Sequence, residues 1–182
     1  MKSLILYRTI YGSTKQYAKW IQEELSSQLD CIDNITKYNI DDYNFIIVGE
    51  AVYAGQLKTP KHLIPIIEKY PNKTFIFFIV GIADMEDKEN RDKLYGDLAK
   101  AMGSSIEKVK VFFLRGILDY SKLNFKHKSM MWMLVKYLKT KSEEELPKDA
   151  DQLIETYGKK VSFIDRNSIK PLIDYVKEVN YK

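Results

Sequence analysis

The chain has 182 residues, 45% hydrophobic and 30% charged, a length and balance that predict one domain with a single core and exclude disordered and collagen-like chains. No apolar run approaches the roughly 18–20 residues that span a bilayer. The N-terminal run breaks at Arg8, too early for a signal-peptide core, so a cytoplasmic protein is expected.

The net charge of +4 is unevenly spread: residues 119–141 hold six lysines against Asp119, and residues 142–151 hold five acids against Lys148. A lone cysteine, Cys31, excludes an internal disulfide, and with only His62 and His127 beside it there is no zinc-ligand spacing and no metal is expected. Cys31 reads as a small buried hydrophobe on a strand.

Apolar runs of strand length alternate with segments of helical period, the order of an α/β protein. Residues 4–7, 45–48, 75–80 and 109–114 are continuously rather than alternately hydrophobic, as parallel strands buried on both faces are. After Ser13 and Thr14, the apolar residues Tyr17, Trp20, Ile21 and Leu25 recur at helical spacing, which predicts a helix with its stripe on the sheet. A weaker, more polar run at 31–35 predicts an edge strand. Within 58–70, Pro60 suits a first helical turn while Pro65 removes a donor inside it, so a short or kinked helix is expected. Leu94, Leu98, Ala101 and Met102, followed by Gly103, predict another helix. Ile169, Leu172, Ile173 and Val176 predict the last.

The chemistry concentrates after the first strand, where Thr9, Ile10, Tyr11, Gly12, Ser13 and Thr14 form a hydroxyl-rich turn that feeds an amphipathic helix. A phosphate would sit here. The unpaired N–H groups at a helix N-terminus carry partial positive charge, and Thr9, Ser13 and Thr14 add side-chain donors. The alternative is that Ser13 or Thr14 only caps the helix. Neither Gly-x-Gly-x-x-Gly nor Gly-Lys-Ser/Thr occurs at the turn, which disfavours a Rossmann dinucleotide site and an NTPase.

Thr9-x-x-Gly12-x-Thr14 resembles the FMN phosphate loop of the flavodoxin superfamily, with Tyr11 where that family usually has Thr or Ser. Two further strand ends stand where the family grips the isoalloxazine ring. One is Val48, Gly49, Glu50, Ala51, Val52, Tyr53, Ala54 and Gly55; the other is Val80, Gly81, Ile82, Ala83 and Asp84. The resemblance implies a flavodoxin-like three-layer sandwich, a five-stranded parallel sheet in order 2-1-3-4-5, and FMN bound beyond the carboxyl ends of the strands. On this reading Ala51, Ala54, Gly55 and Gly81 are small so that backbone approaches the ring. Tyr53 either stacks on the ring or is a surface aromatic. Asp84 either faces the flavin edge or caps the following helix.

Leu114, Arg115, Gly116, Ile117, Leu118, Asp119 and Tyr120, then a basic segment through Met130, Met131, Trp132, Met133, Leu134 and Val135, then Lys160, Val161, Ser162 and Phe163, are similar to the menaquinone-dependent protoporphyrinogen dehydrogenase branch of that superfamily. The resemblance spans nearly the whole chain. It implies one FMN-binding domain over residues 1–182, with an insertion in the last strand at about 119–159.

Residues 130–135 are apolar on every side of a helix and need a dry partner: the protein's own core, a bound porphyrin, a second subunit or a membrane surface. Lys128, Lys136 and Lys139 suit anionic headgroups or porphyrinogen propionates. The plainer arrangement packs the helix on the sheet with its lysines snorkelling to water. Glu143, Glu144 and Glu145 read as a solvated turn or helix start. No nucleic-acid recognition motif accompanies the lysines, so nucleic acid is not an expected partner.

The resemblance implies an FMN-dependent oxidoreductase that takes electrons from a reduced organic substrate, by likeness a porphyrinogen, and passes them to a quinone or other acceptor. The flavin carries that chemistry and no catalytic side chain is required. Peripheral contact with the inner face of a membrane through the basic insertion is part of the same expectation. Two alternatives stand: a flavodoxin electron carrier that uses the insertion to dock redox proteins, and a flavin-free interaction domain.

Overall fold

The computed structural model describes residues 2–53, 57, 60–142, 146 and 150–180. In chain order, the first elements are β1 (Ser3–Tyr7), α1 (Ser13–Leu25), β2 (Gln28–Cys31), β3 (Phe45–Ala51), α2 (Pro60–Lys69), β4 (Thr74–Gly81), α3 (Lys88–Met102) and β5 (Val109–Arg115). The five strands pair in parallel in the order β2-β1-β3-β4-β5.

Strand alternation sends successive side chains to opposite faces and so divides the core into two layers. Leu4, Leu6, Ile46, Val48, Phe75, Phe77 and Ile79 pack with Leu63 and Ile67 of α2 and with Leu94, Leu98 and Met102 of α3. On the other face, Ile5, Ile47, Ile76, Phe78 and Val80 pack with Tyr17, Ala18 and Ile21 of α1 and with the last helix. Burying each of the larger side chains contributes about 1.5–3 kcal/mol.

The edge strand lies earlier than the predicted 31–35. Cys31 is its last residue and half-buried, and Ile32–Lys37 forms a 3-10 turn. Asp30 explains the shift. Its carboxylate accepts from the Asn34 amide and the Tyr38 hydroxyl, both at 2.8 Å, and from the Cys31 N–H at 2.7 Å. Those bonds hold Asp30 below the usual carboxylate range, and such local bonds compete with a strand ladder.

Helix α2 runs through Pro65, and the donor that Pro65 lacks would have met the carbonyl of Lys61, an exposed residue that water can serve. Helix α3 starts at Asp87, whose side chain accepts from the Glu89 N–H, and stops at Gly103 with φ +59°.

Past Gly116, Ile117–Asp119 (β6) pairs antiparallel with Lys160–Ser162 (β7). Between them lie Phe125–Leu138 (α4) and Ala150–Glu155 (α5), and Lys170–Asn180 (α6) ends the fold. The expected interruption of the last strand therefore takes the form of a ribbon: β5 runs unbroken to Arg115, and the excursion leaves through β6 and returns through β7. Asn124 starts α4, its side chain accepting from the His127 N–H. Glu143, Glu144 and Glu145 lie outside the described residues. The buried Tyr17 hydroxyl donates to the Arg115 carbonyl at 2.8 Å and accepts from the Asp165 N–H at 3.2 Å, which ties α1 to the end of β5 and to the returning chain.

Candidate cofactor site

Parallel strands bring all their carboxyl ends to one edge of the sheet, and a cavity of about 400 Å³ opens there. Ser13 and Thr14 come from the head of α1 and Ala51, Val52, Gly81 and Ile82 from the strand ends, while Met130, Met131 and Leu134 of α4 line the cavity from the excursion. This size suits a cofactor-scale ligand.

At the head of α1 the capping alternative fails. The N-cap is Gly12 at φ +98°, with no side-chain cap bond. A Cβ built on Gly12 would touch nothing within 4 Å, so glycine serves the backbone conformation there rather than the space. The Thr9 hydroxyl accepts from the Gly12 N–H at 3.0 Å, and the Ser13 hydroxyl accepts from the Ile117 N–H at 3.0 Å. Thr14 is fully buried and its hydroxyl finds no partner among the described residues. An unsatisfied buried hydroxyl costs about 1–3 kcal/mol. Thr14 stands at a helix N-terminus among the residues that line the cavity, a position that favours an anion such as a phosphate.

Tyr53 is engaged rather than a bare surface aromatic. Its hydroxyl accepts from the Ile10 N–H at 2.7 Å, so it sits inside the turn and holds a donor that a phosphate would use. Burial pushes this hydroxyl above the ordinary tyrosine range, against the opposing pull of the Ile10 and Tyr11 N–H groups and the Thr9 hydroxyl. The Tyr53 ring lies parallel to His127, at 1° and 5.9 Å between centroids. Tyr11 meets both rings edge-on at 5.7 Å. A 2.6 Å hydrogen bond joins the Tyr11 hydroxyl to His127 Nδ1, and the Asn124 N–H donates to the same hydroxyl at 3.4 Å. Tyr11 therefore links the turn to the start of α4.

The two other loops are tied together by backbone: the Val52 N–H donates to the Val80 carbonyl at 2.9 Å and the Gly116 N–H to the Gly81 carbonyl at 2.7 Å. Gly81 has room for a methyl group, since a Cβ there would lie 3.7 Å from Met85 Cε. Gly116 is the tighter position, with Val80 Cγ1 at 3.1 Å. Ile82 and Ala83 line the cavity. The capping alternative for Asp84 is excluded, because Asp87 caps α3. Asp84 accepts from the Glu86 N–H at 3.0 Å and faces the Arg115 guanidinium at 3.9 Å. Ala54 and Gly55 lie outside the described residues.

Beyond the expected loops, the cavity is lined from the α3 side by Met85, Asn90, Lys93, Leu94 and Asp97 and from the other side by the excursion. His127, Met130, Met131 and Leu134 line the cavity. Arg115 stacks over Phe163 at 3.9 Å and donates to the Ile82 carbonyl at 3.2 Å and to Gln152 Oε1 at 2.8 Å. It thereby pins the loop after β4 to α5. Tyr120 packs behind α4 with Leu118, Leu123 and Met131, and burial pushes its hydroxyl up to about 12. The orphaned Thr14 hydroxyl and the apolar space beyond it fit the phosphate and the ring of FMN respectively.

A family model, the flavodoxin domain, matches residues 4–145. An uncharacterized protein of Methanocaldococcus jannaschii is 36% identical over 99 residues, a match covering 52% of this chain and 66% of that protein. Similar solved structures include a flavoprotein from Lactobacillus acidophilus in complex with FMN, at 22% identity and TM-score 0.43, with 63% of this chain and 91% of that one covered. A flavodoxin from the domain Archaea is 17% identical at TM-score 0.45, covering 63% and 82%. Oxidised flavodoxin 2 from Bacillus cereus is 16% identical at TM-score 0.42, covering 78% and 100%. The family match takes in well over half of the sequence, and the chain belongs to the flavodoxin domain family.

Proposed function

We propose that this flavodoxin-family protein binds FMN and acts as an oxidoreductase of the protoporphyrinogen dehydrogenase type, moving electrons from a porphyrinogen to a quinone or another acceptor. The observation that carries this reading is the roof of the cavity. A carrier that works by brief contact between proteins needs its flavin edge open to them. Here α4 sets Met130, Met131 and Leu134 over the cavity, an enclosure suited to a flat apolar molecule.

Bound FMN supplies the electron chemistry. The chain's own part is to bind, orient and exclude water. The Thr14 hydroxyl and the N–H groups of the first turn of α1 would hold the phosphate, and the Ile10 N–H, which here donates to the Tyr53 hydroxyl, would join them if that bond were exchanged. Val52, Ile82, Leu118, Met130 and Met131 line the space and keep water from it, which strengthens every electrostatic interaction inside. Arg115 holds the Ile82 loop in place through its carbonyl.

The test is anaerobic mixing of FMN-loaded protein with protoporphyrinogen IX while the visible flavin band is followed. Bleaching supports the enzyme. Protein that a flavodoxin reductase still reduces, but that the porphyrinogen leaves unbleached, is a carrier instead.

A further inference from the structure

We propose that the His127 imidazole is a fixed hydrogen-bond donor that orients a flat ring in the cavity by a carbonyl oxygen, and that Tyr11 is the positioning residue that sets its tautomer. His127, Met130, Met131 and Leu134 all line the cavity, and their spacing makes them one stripe of α4. His127 is the polar member of that stripe. The charged side chains of the lining, Lys93 and Asp97, stand on α3 instead.

Three contacts fix the residue. Asn124 Oδ1 accepts from the His127 N–H at 2.8 Å, the Tyr53 ring lies parallel to the imidazole, and the Tyr11 hydroxyl meets Nδ1 at 2.6 Å. What else the hydroxyl does gives the direction of that last bond. It already accepts from the Asn124 N–H, and a phenol parts with its proton more readily than a neutral imidazole N–H does, so the hydroxyl donates and Nδ1 accepts. In a neutral imidazole whose Nδ1 accepts, the proton stands on Nε2. Nε2 hydrogen-bonds to none of the described residues. A Thr or Ser at position 11 would hold its hydroxyl close to the backbone and leave Nδ1 unserved, so the Tyr11 side chain is what fixes the tautomer.

A neutral N–H among methionines favours a neutral acceptor, since an anion brought there would be desolvated without a compensating charge. The carbonyl oxygen of a planar ring meets that need, with the ring itself against Met130, Met131 and Leu134. In cavities of this kind a few placed polar groups set the orientation of a mainly apolar ligand. Two molecules can bring such an oxygen: the FMN ring, or a second ring of the quinone type that exchanges electrons with it. The inference rests on the cavity as the FMN site and not on a porphyrinogen as substrate, so the bleaching test can fail without touching it.

The experiment is a proton–nitrogen correlation spectrum of the imidazoles in the full, nitrogen-labelled chain, at about pH 8, above the ordinary imidazole range. The chain holds two histidines. His62 is not part of the cavity lining and serves as the internal reference, and the signals lost in His127→Phe assign the other. The parent is expected to show His127 protonated at Nε2 and not at Nδ1, and Tyr11→Phe to mix the two tautomers. FMN is then added, followed by duroquinone, with durene, the same ring without its oxygens, in parallel. A shift of the Nε2 resonance with FMN assigns the flavin ring as the acceptor, and a shift with duroquinone alone assigns a second ring; either supports the proposal. His127→Phe should weaken the ligand that moves Nε2 by about two- to tenfold and leave durene as in the parent. Quenching of flavin fluorescence reports FMN binding separately, so a missing cofactor is told from a silent imidazole, and circular dichroism verifies that the variants fold. Nε2 unprotonated in the parent, a resonance that neither carbonyl ligand moves or that durene moves as far, or affinities that His127→Phe leaves unchanged would overturn the proposal.

Discussion

Replacing Thr14 with valine keeps the shape of the side chain and removes its hydroxyl. In the protein without ligand that hydroxyl is buried and unpartnered among the described residues, a state that costs about 1–3 kcal/mol. The valine apoprotein is therefore expected to be more stable by that order, and in a chain of this length each kcal/mol moves Tm by about 2–4 °C. On the proposed function the same hydroxyl would donate to a phosphate oxygen of bound FMN, and a charge-assisted bond of this kind contributes about 1.5–3 kcal/mol. Losing it weakens FMN roughly ten- to a hundredfold. The two effects have opposite signs: the apoprotein melts higher, and added FMN raises Tm by less than in the parent. Thermal melts with and without FMN, joined to a fluorescence titration, measure both. Riboflavin, which lacks the phosphate, should bind parent and variant alike. A lower apoprotein Tm with unchanged FMN affinity would refute the reasoning, because the hydroxyl would then serve the protein and not the ligand.

Three other perturbations probe the surroundings. Tyr53→Phe frees the Ile10 N–H, so FMN titration should show up to about tenfold tighter binding while the apoprotein loses about 0.5–1.5 kcal/mol; weaker binding would make Tyr53 a holder of the cofactor rather than its competitor. Gly49→Ala would place a Cβ 2.1 Å from Cζ of the buried Phe78 ring, and chemical denaturation should show a loss of about 1–3 kcal/mol or more; an unchanged midpoint contradicts this. Burial pushes the Tyr120 hydroxyl from the ordinary 10 up to about 12, so the folded chain keeps a proton that the unfolded chain releases in that window. The stabilisation is complete below pH 10 and is lost as pH rises towards 12. Tyr120→Phe should flatten the fall of Tm over that range, and an unaltered slope would place the titration elsewhere.

The central strands are legible in the sequence because burial on both faces leaves nothing but apolar residues at 45–48 and 75–80. The turn at residues 9–14 and the helix it feeds are legible because strand end, turn and helix start are consecutive, so one short stretch holds the whole arrangement. The edge strand is less legible, since a single carboxylate, Asp30, gathers three local donors and ends the ladder early. Asp84 and Asp87 stand three residues apart before the same helix, and only the backbone conformation shows that the second is the cap. The roof is beyond local reading. Residues 130–135 are apolar all round, so periodicity cannot tell Met130 and Met131 on the cavity from Trp132 and Met133 in water. The seat of the Tyr53 hydroxyl at Ile10, 43 positions away, depends on the packing of β1 beside β3.

Whether the turn at residues 9–14 is a phosphate cradle is tested most directly by titrating the apoprotein with FMN and, in parallel, with riboflavin, following the quenching of flavin fluorescence. Two or more charge-assisted bonds from Thr14 and the head of α1 predict saturable FMN binding at least about a hundredfold tighter than that of riboflavin. Equal affinity for the two flavins, or no quenching by either, would contradict it.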